Sequence, residues 1–134
     1  DIGSGGGFPG MILAICGCNN VHLVESDLRK AIFLREALRM TETHAIVHQQ
    51  RVEKMMLYHV DCITARACAT IANLIGLTHH LQTPDTRYLL LKGRQVEAEL
   101  TEAKLYWQFR TTLHPSCTSN DGRIVELSEV EKKA

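Results

Sequence analysis

The sequence predicts an α/β fold, a mostly parallel sheet with an antiparallel edge at its C-terminal end, in a single domain over residues 1–134. Three observations predict it. The chain opens on a glycine-rich loop, Asp1-Ile2-Gly3-Ser4-Gly5-Gly6-Gly7-Phe8-Pro9-Gly10. Short apolar runs then alternate with segments of helical period, the pattern of βα units. The last two apolar runs are separated by Asn120-Asp121-Gly122, a turn signal rather than a helix.

The elements follow in order. Pro9 suits the first turn of a helix, where its missing N–H costs nothing, and residues 10–16 continue that helix. Residues 21–25, Val-His-Leu-Val-Glu, read as a short buried strand. Ser26 or Asp27 caps a second helix to about residue 40, with Ala31, Leu34, Ala37 and Leu38 on one face. Residues 44–48 read as a strand, 52–57 as a short helix, 60–65 as a strand and 71–81 as a helix. Pro84-Asp85 marks a turn, and the apolar run of residues 87–93 suggests a strand buried on both faces. Residues 95–104 form a polar helix, and 106–113 and 123–127 two strands. Residues 129–134 are expected to be a solvated, frayed end.

Composition narrows the function classes. Hydrophobic residues are 45% and charged residues 22%, which excludes an intrinsically disordered chain. Lys+Arg and Asp+Glu are 15 each, so no chain-wide basic charge points to nucleic acid; a local basic face is compatible with that balance. No apolar run reaches the length of a membrane span. The five cysteines mostly sit in apolar segments and are expected to be reduced and buried, as in a cytoplasmic protein. Cys16-Gly17-Cys18 has no second Cys/His pair at zinc-ligand spacing, so no metal is expected. His79-His80 reads as surface, and Cys62 as packing rather than a nucleophile. Glycine loops of this kind normally follow a buried strand, so the chain is expected to be a fragment of a longer protein, with its first strand largely missing.

The glycine loop carries the strongest chemical signal. Glycines let the backbone approach a ligand with no Cβ in the way, and in an open α/β sheet ligands bind at the carboxyl ends of the strands. Two ligand classes fit. Gly5-Gly6-Gly7-Phe8-Pro9-Gly10 satisfies G-x-G-x-x-G, and Glu25 follows at about the spacing of a ribose-binding acid, so a NAD-dependent oxidoreductase is allowed. The Asp-x-Gly-x-Gly order of Asp1, Gly3 and Gly5 resembles motif I of the class I S-adenosylmethionine-dependent methyltransferases instead.

The remaining motifs favour the second. The glycine loop, Val24-Glu25-Ser26 with Lys30, Phe33-Leu34, Arg51-Val52-Glu53, Thr64-Ala65-Arg66-Ala67 and Leu91-Lys92-Gly93 occur in one order with suitable gaps. Together they resemble the RsmG (GidB) family of bacterial methyltransferases, which modify a guanine at N7 in small-subunit (16S) ribosomal RNA. The resemblance runs from Asp1 to about Leu127 and implies a Rossmann-like class I methyltransferase fold, S-adenosyl-L-methionine as cofactor, small-subunit ribosomal RNA as partner and a cytoplasmic location. Members carry an N-terminal helical region and a first strand ahead of the glycine loop. The alternatives are the oxidoreductase and an inactive fragment that only binds.

The resemblance also implies residue roles. Asp1, Gly3, Gly5 and Phe8 border the cofactor in the loop, Glu25 accepts its ribose hydroxyls, and the backbone near Val52 and Glu53 borders its adenine. Arg66, at the edge of the sheet, suits either the cofactor carboxylate or an RNA phosphate, since a guanidinium binds both. Arg66 and Lys92 are the candidate catalytic residues. Lys30, Arg35 and Lys92 are the candidate RNA contacts, against the plainer reading of solvated surface cations. Guanine N7 has a lone pair and no proton, so the transfer needs no general base, and the sequence offers no convincing one.

Overall fold

Ile2 holds the strand position that leads into the glycine loop. In the computed structural model, which describes residues 1–56, 59–66 and 68–134, it bridges Val24 and Ala65, both in parallel. Its N–H donates to Thr64 O at 2.8 Å, and Val24 N–H donates to Asp1 O at 2.9 Å. Residues 1 and 2 thus pair with β1 on one side and with β3 on the other. The chain divides into two units, Asp1–Met55 with Thr64–Arg66, and Met56–Ile63 with Ala67–Ala134.

The first unit contains α1 (Gly10–Ile15), β1 (His22–Val24), α2 (Leu28–Met40) and β2 (Ile46–His48). β1 and β2 pair in parallel, with Leu23 opposite Val47. Asp27 caps α2 by accepting the N–H of Lys30 at 3.1 Å, which satisfies a donor the helix leaves open. α2 buries Ala31, Leu34 and Leu38, three of the four positions expected on its inner face. Met11, Leu23, Leu34 and Leu38 form the core of this unit, with Ala37 and Val47 against it. Burying each Leu is worth about 1.5–3 kcal/mol. Pro9 stands one position earlier than expected, capping α1 rather than opening it.

The helix expected over residues 52–57 is a single 3-10 turn, Val52–Lys54. Arg51 before it and Met55 after it are extended, and Val52 and Met55 are both buried, so one turn suffices to place two apolar side chains. Residue 57 lies outside the described residues.

β3 (Cys62–Arg66) has its first two residues in the second unit and its last three in the first, and the second unit also contains α3 (Ile71–Thr78), a 3-10 turn at His79–Leu81, β4 (Arg87–Lys92), α4 (Val96–Ala103), β5 (Trp107–Pro115) and β6 (Arg123–Lys132). The strand order is β3-β4-β6-β5. β6 pairs antiparallel with β4 and with β5, which gives the expected antiparallel edge. Thr70 caps α3 by accepting Asn73 N–H. Tyr88, fully buried in β4, bonds to Thr78 Oγ1 at 3.1 Å and donates to Gln82 Oε1 at 2.9 Å.

The frayed end expected over residues 129–134 is a correction: β6 continues to Lys132, which stands opposite Trp107. Val125 and Leu127 face inward at strand spacing, but the next inward residue is Val130, not Glu129. A bulge sets Glu129 and Val130 against Phe109 alone, with Glu129 at φ 52°, and shifts the alternation by one residue. Gln82 Nε2 donates to Val130 O at 2.7 Å and fixes this end. The cysteines are a second correction. All five are exposed, Cys62 at the outward-facing start of β3 included, because each sits at an element end or in a loop.

Candidate functional site

The first unit brings the glycine loop against the end of β1. Glu25, immediately after β1, is buried to 7% exposure. Its Oε1 accepts the N–H of Gly5 and its Oε2 the N–H of Asp27, each at 2.9 Å. A carboxylate offers about four acceptor positions, so these two bonds fix Glu25 and leave one position on each oxygen for hydroxyl donors. Ser4 N–H donates to Val24 O at 3.1 Å, which closes the loop onto the same strand.

Gly3, Gly5 and Gly7 of the loop hold φ of 63°, 51° and 95°, a conformation that favours glycine, and Gly10 has no room for a side chain. A Cβ on Gly7, where φ is +95°, would lie 2.7 Å from Met11 Cε. A Cβ on Gly10 would lie 2.4 Å from Asp1 Cβ and 2.6 Å from Leu23 Cδ2. Gly3 and Gly5 lie on the path between Ile2 and these contacts.

Asp1 binds the loop to β3. Its Oδ2 accepts Ser4 Oγ–H at 2.8 Å and its Oδ1 accepts Thr64 Oγ1–H at 2.7 Å. Ser4 and Thr64, both buried, were not legible as site residues: a Ser within a glycine run and a Thr within a strand have nothing to mark them before the pairing is known.

Phe8 and Arg66 meet. The Phe8 ring is half exposed, and the Arg66 guanidinium carbon stands 5.6 Å from its centroid, a cation–π contact. Ala67, which completes the Thr64-Ala65-Arg66-Ala67 motif, lies outside the described residues. Val52 is buried and Glu53 exposed on the 3-10 turn. Lys30 and Arg35 are exposed on α2; Arg35 Nη2 donates to Val47 O at 3.4 Å. His22 and His48 form an unexpected pair, stacked with centroids 5.1 Å apart and Nδ1 to Nε2 at 2.8 Å. Burial lowers the pKa of both; for His48 the charge of His22 lowers it further.

In the second unit, Lys92 at the end of β4 is not a solvated cation. Its Nζ donates to Ala69 O at 2.5 Å and pairs with Glu99 Oε1 at 3.0 Å, with only 7% of its side chain exposed. Cys68 lies nearby; although the residue is exposed, partial desolvation of its sulfur pushes its thiol pKa up, against a smaller lowering by Lys92, which disfavours the thiolate a nucleophile needs. Tyr88 and Trp107 are buried in their strands, so neither presents a ring for base stacking. The His79 ring is tilted against Trp107, 5.0 Å between centroids.

Comparisons with known proteins bear on this arrangement. The family model described as GidB, rRNA small subunit methyltransferase G, matches residues 1–125. The ribosomal RNA small subunit methyltransferase G of Nitrobacter winogradskyi is 43% identical over 99% of this chain and 50% of its own length. That of Bradyrhizobium diazoefficiens is 45% identical over 99% of this chain and 54% of its own. The chain thus spans about half the length of these curated relatives. Among solved structures, the ribosomal protein L11 methylase of Lactobacillus delbrueckii subsp. bulgaricus superposes with a TM-score of 0.70 at 17% identity, covering 100% of this chain and 68% of that one, which is the class I methyltransferase fold.

Proposed function

Since the chain belongs to the rRNA small subunit methyltransferase G family, we propose that residues 1–134 form a single methyltransferase domain, and that this domain methylates guanine N7 in 16S ribosomal RNA in the cytoplasm. The observation that carries the reading is the fixed carboxylate of Glu25 against the Gly5 N–H.

The residues present fit S-adenosyl-L-methionine. Glu25 keeps acceptor capacity for two ribose hydroxyls, Gly7 and Gly10 stand where side chains cannot, and the exposed Phe8 ring and Arg66 guanidinium offer an apolar face and a carboxylate partner. Val52 and Glu53 would border the adenine. When bound, the cofactor supplies an electrophilic methyl group. The protein's part is to hold the two reactants in line and exclude other geometries, because N7 needs no deprotonation. Arg66 holds the cofactor carboxylate or an RNA phosphate. Lys30 and Arg35 supply exposed positive charge to the RNA backbone. Lys92, held by Glu99, acts from a fixed position rather than as a mobile phosphate clamp.

Incubating the protein with labelled S-adenosyl-L-methionine and small ribosomal subunits lacking this methyl group tests the proposal. Label in 16S RNA with chain cleavage at one 7-methylguanosine is expected. Label at any other atom, or none with an intact cofactor site, contradicts it.

A further inference from the structure

The second unit holds a cleft of about 610 Å³ at the carboxyl end of β4, between Ala69 and Thr70, which lead into α3, and Lys92 and Gly93, which lead toward α4. Ligands of open α/β sheets bind at such strand ends. The Lys92–Glu99 pair lines this cleft, with 7% and 16% of the two side chains exposed. The ion pair with Lys92 Nζ and the hydrogen bond from Ile71 N–H both fall on Glu99 Oε1. Oε2 takes no hydrogen bond among the described residues. Lys92 Nζ has three N–H donors; it donates one to Ala69 O and stands in ion-pair contact with Glu99, so at least one donor remains. The cleft therefore presents an idle carboxylate oxygen beside an idle ammonium donor, both held on packed elements.

We propose that this cleft takes the base to be methylated and that Glu99 is the residue that reads it as guanine. The inference rests on the methyl-transfer reading above and names a specificity residue for it. Guanine alone among the four bases carries two adjacent donors, N1–H and the N2 amino group, next to an acceptor, O6. Glu99 Oε2 accepts from the donor pair and Lys92 donates to O6. Holding guanine by this edge leaves N7, on the other ring, free to react. Adenine and cytosine present one amino group beside a bare ring nitrogen, and uracil a single N–H between two carbonyls, so each leaves a desolvated group of the pair unmatched.

Inosine tests this, because it is guanosine without the N2 amino group and keeps N7. Single-turnover methylation by the protein is measured on RNA with guanosine or inosine at the target position. Wild type is expected to prefer guanosine by roughly tenfold or more, as a lost bond to a charged acceptor predicts. In Glu99→Gln the rate on guanosine falls and the preference for guanosine shrinks toward one. The ratio is taken within each variant, so a reduced folded fraction cancels; if Glu99→Gln does not fold, Glu99→Asp, which keeps the charge on a shorter stem, shows the same loss of preference. A structural role alone lowers both rates equally and leaves the ratio unchanged, which overturns the inference, as does a wild type indifferent to inosine. Methyl transfer with an unchanged ratio sinks this inference alone; cofactor binding with no transfer to N7 sinks the functional reading and the inference with it.

Discussion

Glu25 accepts the N–H of Gly5 at 2.9 Å across twenty residues of sequence, so the glycine loop and the acid at the end of β1 form one hydrogen-bonded unit. The same carboxylate takes the N–H of Asp27, the cap of α2. One side chain thus ties loop, strand end and helix start together, and substitutions there affect folding and ligand binding at once.

Glu25→Gln replaces one charged oxygen by an NH2 group facing a backbone N–H. Bonds to a charged acceptor are worth about 1.5–3 kcal/mol. The unfolding free energy in urea should fall by about 1–3 kcal/mol, and S-adenosylhomocysteine affinity by tenfold or more. Unchanged affinity in the variant removes Glu25 from the cofactor site.

The Phe8–Arg66 contact is partly exposed and should couple the two residues by about 0.5–1 kcal/mol. A double-mutant cycle with Phe8→Ala and Arg66→Ala, read as cofactor affinity, measures it. Phe8→Trp should retain the coupling and Phe8→Leu lose it. Strict additivity of the two alanine substitutions means the ring does not hold the guanidinium.

Two glycines make opposite predictions. Gly10→Ala puts a Cβ within 2.4 Å of Asp1 Cβ and should cost about 1–3 kcal/mol. Gly76, exposed inside α3 with open space around it, should gain about 0.4–1 kcal/mol on change to Ala. Thermal melts of the two variants should move in opposite directions.

Stability should also depend on the His22–His48 pair. Burial lowers both pKa values below the ordinary 6.5, so the unfolded chain takes up protons before the folded one. The contribution is fully present above pH 6.5 and is lost as pH falls through the lowered folded values. The urea midpoint should drop between pH 7 and pH 5, and His48→Gln should flatten that drop. An identical slope in the variant assigns the acid sensitivity elsewhere.

What could be read from the sequence follows from what is local. The order of strands and helices, the Asp27 cap and the inner face of α2 depend on spacing along the chain, and they stand as expected. The end of β6 was hidden because the bulge at Glu129 breaks the period of two that marks a strand. The cysteines misled because apolar neighbours in sequence do not bury a residue at an element's end. Glu25 and Arg66 stood out by motif, whereas Asp1's hold on Thr64 spans sixty-three residues and Glu99 is one acid among several on α4. Both gain their roles only when distant segments pack.

The most direct measurement is calorimetric titration of residues 1–134 with S-adenosylhomocysteine, with NAD as control and Glu25→Gln alongside. Saturable one-to-one binding of S-adenosylhomocysteine, weakened in the variant, with no binding of NAD, is the predicted result. Selective binding of NAD, or no binding of either by a chain that melts cooperatively, contradicts the assignment of the glycine loop and Glu25 to a methyl-donor site.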